Sequence, residues 1–144
     1  KKKYFTSKTH KFKVLEPTEW KAIKNEATYI PVVYVNQIQG KQPGTESINI
    51  SVKAATSFEE MYEQSKKEAL DTGIVEKIVS EEEGKTEKGV TFKKVTYQRN
   101  KTQLVAYHFF NNNKGYVITC SAPEATYAHN SGLFEEIAKS MEFL

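Results

Sequence analysis

Residues 48–65 read INISVKAATSFEEMYEQS, and within them the hydrophobic period changes. Ile48, Ile50, Val52 and Ala54 alternate with Asn49, Ser51 and Lys53, the pattern of a strand with one buried and one solvated face. After Thr56 the spacing turns helical: Phe58, Met61, Tyr62, Ser65 and then Ala69 fall on one stripe. Ser57 stands where an N-cap belongs, and Glu60 three residues later completes a capping box. Glu59, Glu60 and Glu63 also suit the positive end of the helix dipole. The helix is predicted to run to about Asp71 and to stop at Gly73.

Upstream, HKFKVLEP alternates Phe12 and Val14 with lysines before Pro17 ends the run. Trp20 follows and is expected to seal the edge of the core, with a partner for its indole N–H nearby. YIPVVYVNQIQ, residues 29–39, reads as a second strand, with Pro31 at its start or at a sheet edge. A loop, GKQPGTE, leads from it into residue 48. Downstream, alternation returns in IVEKIVSEEEG, GVTFKKVTYQRN, TQLVAYHFF and GYVITCSA, four strands separated by short turn-rich stretches, which predicts an antiparallel meander. From about Tyr127, residues Asn130, Leu133, Phe134, Ile137, Ala138 and Met141 lie at helical spacing. The fold class is therefore α+β. One antiparallel sheet of about six to seven strands is covered by two helices, in a single domain over 1–144.

Sixteen of the seventeen aromatics are Tyr or Phe, and the net charge is +3. Residues 1–56 carry ten lysines against four glutamates, whereas residues 57–89 carry five lysines against ten acids. Arg99 is the only arginine, so the basic, arginine-rich face expected of a nucleic-acid reader is missing. No run approaches the roughly 18 apolar residues of a membrane-crossing helix. One cysteine excludes both an intramolecular disulfide and a cysteine-based zinc cluster.

Three stretches resemble the PsbP/Mog-like superfamily, which includes PsbP extrinsic subunits, Ran-binding Mog-type proteins and bacterial lipoproteins of the DcrB or PsbP-like kind. They are FKVLEPTEW, a hydrophobic strand followed by Pro and Trp; INISVKAATSFEEMYEQS, the strand running into a Ser-capped helix; and LFEEIAKSMEF at the end. In the last of these Met141 stands where an aromatic usually follows the serine. The resemblance implies an α/β/α sandwich and a non-enzymatic binding or assembly module. It supplies no catalytic constellation to transfer. A lysine-rich start without Met suits a chain following a lipoprotein signal. The expected location is accordingly extracytoplasmic, with a lipid anchor upstream, and the expected form is a monomer bound to an unknown protein or small ligand. An intracellular Mog-type interaction module is the alternative, and a Cys/His hydrolase or redox enzyme the third reading.

That third reading rests on His108 and Cys120, in HFFNNNKGYVITCSAP. If the hairpin tip is centred on Asn113, His108 is diagonal to Cys120 on one face, about 5–8 Å away; a one-residue shift places them on opposite faces. Asn and Gly tolerate positive φ, so the Asn111–Gly115 run accommodates several turns. A thiolate nucleophile further needs an electropositive, accessible setting and a group to orient the imidazole, so packing is the expected role of both residues. Glu81, Glu82, Glu83 and Glu87 could ligate a hard cation, but adjacent strand residues point to opposite faces and the spacing is not that of a calcium loop. His10, His108 and His129 have no metal-ligand spacing. No catalytic, cofactor-binding or metal-binding residue is assigned. The acidic helix residues Glu59, Glu60, Glu63, Glu68 and Asp71 form either a solvated face or a docking surface for a basic partner.

Overall fold

The computed structural model describes residues 1–39 and 44–144. In chain order the elements are β1 Tyr4–Ser7, β2 Phe12–Leu15, β3 Lys21–Lys24, β4 Val32–Ile38, β5 Gly44–Ala54, α1 Phe58–Asp71, β6 Lys77–Lys85, β7 Thr91–Arg99, β8 Thr102–Asn111, β9 Lys114–Pro123, α2 Glu124–Lys139 and β10 Glu142–Phe143. Seven strands form one antiparallel sheet in the order β3-β4-β5-β9-β8-β7-β6. The fold is the expected α+β sandwich. To it the structure adds a separate three-stranded sheet, β1-β2-β10, in which the opening FKVL strand pairs with the C-terminal tail.

Alternation assigns the two faces of the main sheet. Ile48, Ile50 and Val52 of β5 lie opposite Cys120, Ile118 and Tyr116 of β9. With Val105, Tyr107 and Phe109 of β8 they form a core closed by Phe134, Ile137 and Ala138 of α2. The other face carries Val95 and Tyr97 of β7 and Ala106 of β8, packed against Tyr62 of α1. The helices therefore cover opposite faces.

The N-cap prediction holds, the Ser57 hydroxyl accepting from the Glu60 amide at 3.1 Å, but the Glu60 carboxylate makes no return bond to the Ser57 amide among the described residues, so the capping box is half made; Thr72 closes the helix, and Gly73 follows at φ 74°. Pro31 immediately precedes β4, a position that loses no ladder bond. Of the loop expected over 40–46, residues 40–43 lie outside the described residues, whereas Gly44, Thr45 and Glu46 already belong to β5. The second helix starts at Glu124, three residues before the expected Tyr127, because its first turn is mostly exposed and adds no apolar signal. Trp20 does seal the core edge, standing T-shaped to Phe134 at 6.5 Å, but its indole N–H has no protein acceptor among the described residues.

The β8–β9 hairpin settles the question left open at its tip. Asn111 pairs with Lys114, and the two central residues, Asn112 and Asn113, have φ of 51° and 58°. Positive φ at both positions is the requirement of a type I′ turn, whose twist matches that of the strands it joins. The pair sum is therefore odd: His108 faces Val117 and Cys120 faces Val105, on opposite sides of the sheet. The registers expected from a tip at Asn113 are corrected likewise, with Ala106 opposite Thr119 and Phe110 opposite Gly115. Asn113→Val puts a β-branched side chain at positive φ and is expected to cost about 1–2 kcal/mol. Asn113→Gly is expected to be neutral or mildly stabilising, and urea denaturation of the pair checks both.

Candidate functional site

Helix α1 leans toward the β6-β7-β8 half of its face. It is held there by a Ser65–His108 hydrogen bond to β8, a Lys66–Glu81 pair to β6 and a Glu59–Lys93 pair to β7. The β5-β9 half consequently forms the floor of a groove of about 780 Å³ under the helix. The floor consists of the polar alternates of β5, Ser47, Asn49 and Ser51, with Thr119 and Ser121 of β9 beside them. Met61, Gln64, Ser65 and Glu68 overhang it, and Ile74, Val75, Tyr97 and Leu104 close one end with apolar surface. At the other end Met61 lies so close to Gly115 that a Cβ there would come within 2.7 Å of the Met61 methyl. Glycine at that position is what lets α1 descend onto β9.

The floor's side chains are half-buried and neutral, and none of the five makes a side-chain hydrogen bond to another protein group among the described residues. A floor so lined can hydrogen-bond the uncharged polar groups of a ligand, whose apolar part can lie against Leu104 and the exposed Ile74. Sequence reading missed it because the polar side of β5 is indistinguishable from an ordinary solvated face. The signal present was composition: Ser, Asn and Ser where exposed strands more often carry charge.

Beneath α1 lies a second polar constellation. His108 is fully buried; its Nδ1 is 3.1 Å from the Lys93 carbonyl oxygen and its Nε2 2.9 Å from Ser65 Oγ. A carbonyl can only accept, so Nδ1 carries the proton and the Ser65 hydroxyl donates to Nε2. Burial pushes the imidazole pKa down to about 4, against opposing backbone hydrogen bonds and helped by nearby Lys66, so the ring is neutral. Tyr62 stacks edge-on against it at 5.1 Å and donates to Glu81 at 2.6 Å, while Lys66 reaches the same carboxylate at 2.8 Å. Those hydrogen bonds from Lys66 and Tyr62 hold the Glu81 carboxyl below its usual range. A serine bonded to a histidine has the outline of a nucleophile and base. Yet Ser65 is mid-helix, where the backbone N–H groups that could stabilise an oxyanion are already bonded, and so acidic an imidazole is a weak base at neutral pH.

Cys120 belongs to the opposite face. It is wholly buried, and burial raises its thiol well above the ordinary range, so the thiolate needed for nucleophilic chemistry is disfavoured. Glu81 faces α1, whereas Glu82 turns to the other face and comes 4.0 Å from Lys94. His10 contacts the carbonyls of Glu26 and Thr28, and His129 lies on the exposed side of α2. Among the described residues no three His, Cys, Asp or Glu side chains converge as metal ligands. The acidic helix face divides: Glu59, Glu63 and Asp71 are each paired with a lysine, while Glu60 and Glu68 line the groove.

No family model matches the chain, and no curated protein matches it. Among solved structures it is similar to the cyanobacterial PsbP (CyanoP) of Synechocystis sp. PCC 6803, with a TM-score of 0.73 at 14% identity, over 99% of this chain and 92% of that one. It is also similar to a Pseudomonas aeruginosa protein of unknown function, with a TM-score of 0.57 at 11% identity over 96% and 94% of the two chains. A Bacteroides thetaiotaomicron structure gives 0.54 at 15% identity, over 99% of this chain and 48% of that one. The chain has the PsbP-like fold.

Proposed function

We propose that this PsbP-like chain is a non-enzymatic binding or assembly module whose ligand lies in the groove between α1 and the β5-β9 half of the sheet. The observation that carries the reading is the floor itself: five neutral hydrogen-bonding side chains in adjoining rows, half-buried and without protein partners. These groups still face solvent, so a ligand binds by replacing their water with hydrogen bonds of its own, in a half-enclosed setting where such bonds are stronger than in open water. The resemblance to PsbP-like lipoproteins supports an extracytoplasmic setting with a lipid anchor upstream.

Thr119→Trp fills the centre of the floor without touching the α2 core. It is expected to leave the amide NMR spectrum folded and to abolish shifts caused by any member of a mixed panel of peptides, oligosaccharides and metabolites that perturbs β5 and β9 in the parent chain. No perturbing compound, or perturbation that survives Thr119→Trp, sinks the groove reading. Fractionating native cells with an antibody to the chain addresses location: signal confined to the cytosol would favour the intracellular Mog-type module instead.

A further inference from the structure

We propose that the occupant of the groove is an extended peptide segment carrying two basic residues about four positions apart, an assignment that rests on the groove being the ligand site. The first argument is a matching period. Ser47, Asn49 and Ser51 project from alternate positions of β5, so they recur about every 6.6–6.8 Å, the repeat of same-side backbone groups in an extended peptide lying along that strand. The main-chain groups of β5 are taken on both sides, by β4 and β9, so the peptide lies on the sheet face and is held by side chains rather than added as a strand. Asn49 and Thr119, cross-strand neighbours, offer donors and acceptors together, which suits amide N–H and C=O groups alike.

The second argument is charge. Glu60 and Glu68 line the groove from α1, and neither is paired with a cation among the described residues; the Glu68 carboxylate accepts a hydrogen bond from Gln64, at 2.9 Å. Lys53, the one lining cation among the described residues, lies over the Tyr29 ring at 5.4 Å. Eight residues of helix separate the two carboxylates by about 12 Å. Residues i and i+4 of an extended peptide are about 13 Å apart, so two lysines at that spacing meet both acids. An anionic ligand would face two carboxylates against one lysine. A hydrocarbon chain would leave the floor's hydroxyls and amide unpaired. A saccharide would lack its usual stacking platform, because Tyr97 is only 3% exposed.

The test uses a pool of acetylated, amidated octapeptides with lysine fixed at positions 2 and 6 and Ser, Thr, Val or Leu elsewhere. A matching pool with glutamate at positions 2 and 6, and maltohexaose, are titrated in parallel into the labelled chain. The lysine pool is expected to shift the Ser47, Asn49, Ser51 and Thr119 amides saturably and to weaken as salt rises. Glu60→Gln, which keeps the capping geometry, and Glu68→Lys are each expected to weaken it roughly threefold to fivefold. Equal response to both peptide pools, or response to maltohexaose alone, overturns the basic-peptide assignment while leaving the groove as a ligand site. If the lysine pool and the mixed panel both leave these amides unmoved, the peptide assignment and the groove reading fall together.

Discussion

Phe12→Ala is expected to cost about 3–5 kcal/mol, a large share of the 5–15 kcal/mol typical of a whole domain. Phe12 is wholly buried between the small sheet and the main one. Its ring stands edge-on to Phe5 at 5.7 Å and to Tyr116 of β9 at 5.8 Å. Across the same junction Phe143 of β10 lies 4.7 Å from Tyr116, whose hydroxyl donates to the His10 carbonyl at 2.6 Å. Removing the Phe12 ring opens a cavity that these neighbours, fixed by two sheets, cannot close. Phe12→Leu keeps most of the volume and is expected to cost far less, about 1 kcal/mol. Urea melts of the three chains measure the difference. A loss under about 1 kcal/mol for Phe12→Ala would mean that β1, β2 and β10 are an appendage rather than part of the core.

That junction marks the boundary of what the sequence discloses. β2 is legible as a strand from Phe12 and Val14, but its partner β10 is 127 residues further on and only two residues long, too short to show a period. β5 and α1 are legible because the alternation from Ile48 to Val52 is unbroken and Ser57 carries its own capping signal. The β8–β9 register is not, since Asn-Asn-Asn-Lys-Gly supports turns of either parity and a single residue inverts every side chain. Parity is decided by Asn112 and Asn113 taking both positive-φ positions, and it separates His108 from Cys120. The groove was hidden for a different reason. Ser65 appears on the buried stripe, but its partner His108 is 43 residues away, and their bond helps hold α1 over β8 and leave the β5-β9 strip uncovered.

Stability is expected to fall as pH drops from about 6.5 to about 4, and His108 is expected to account for much of that fall. In the folded chain its pKa is about 4, pushed down first by burial, against its ordinary value of 6.5. Between those values the unfolded chain binds a proton that the native chain does not, so unfolding free energy rises with pH across the window. The stabilisation is complete above pH 6.5 and lost by pH 4; the shift corresponds to about 3 kcal/mol. Protonation would place a charge where Lys66 and Lys93 both stand over the adjoining Tyr62 ring, at 4.3 and 4.8 Å, with Glu81 already engaged by Tyr62 and Lys66. Glu16, Glu81 and Glu135 also have lowered pKa values, but their contributions are lost only as pH falls below the ordinary carboxyl value of 4.5. The interval from pH 5 to 7 therefore isolates the histidine. His108→Gln keeps groups able to bond both Ser65 and the Lys93 carbonyl, and is expected to be less stable at pH 7 yet nearly flat over that interval. Parallel curves for the parent and His108→Gln would show that the imidazole is not held neutral under α1, and would remove the Ser65–His108 bond as the anchor that keeps the groove open.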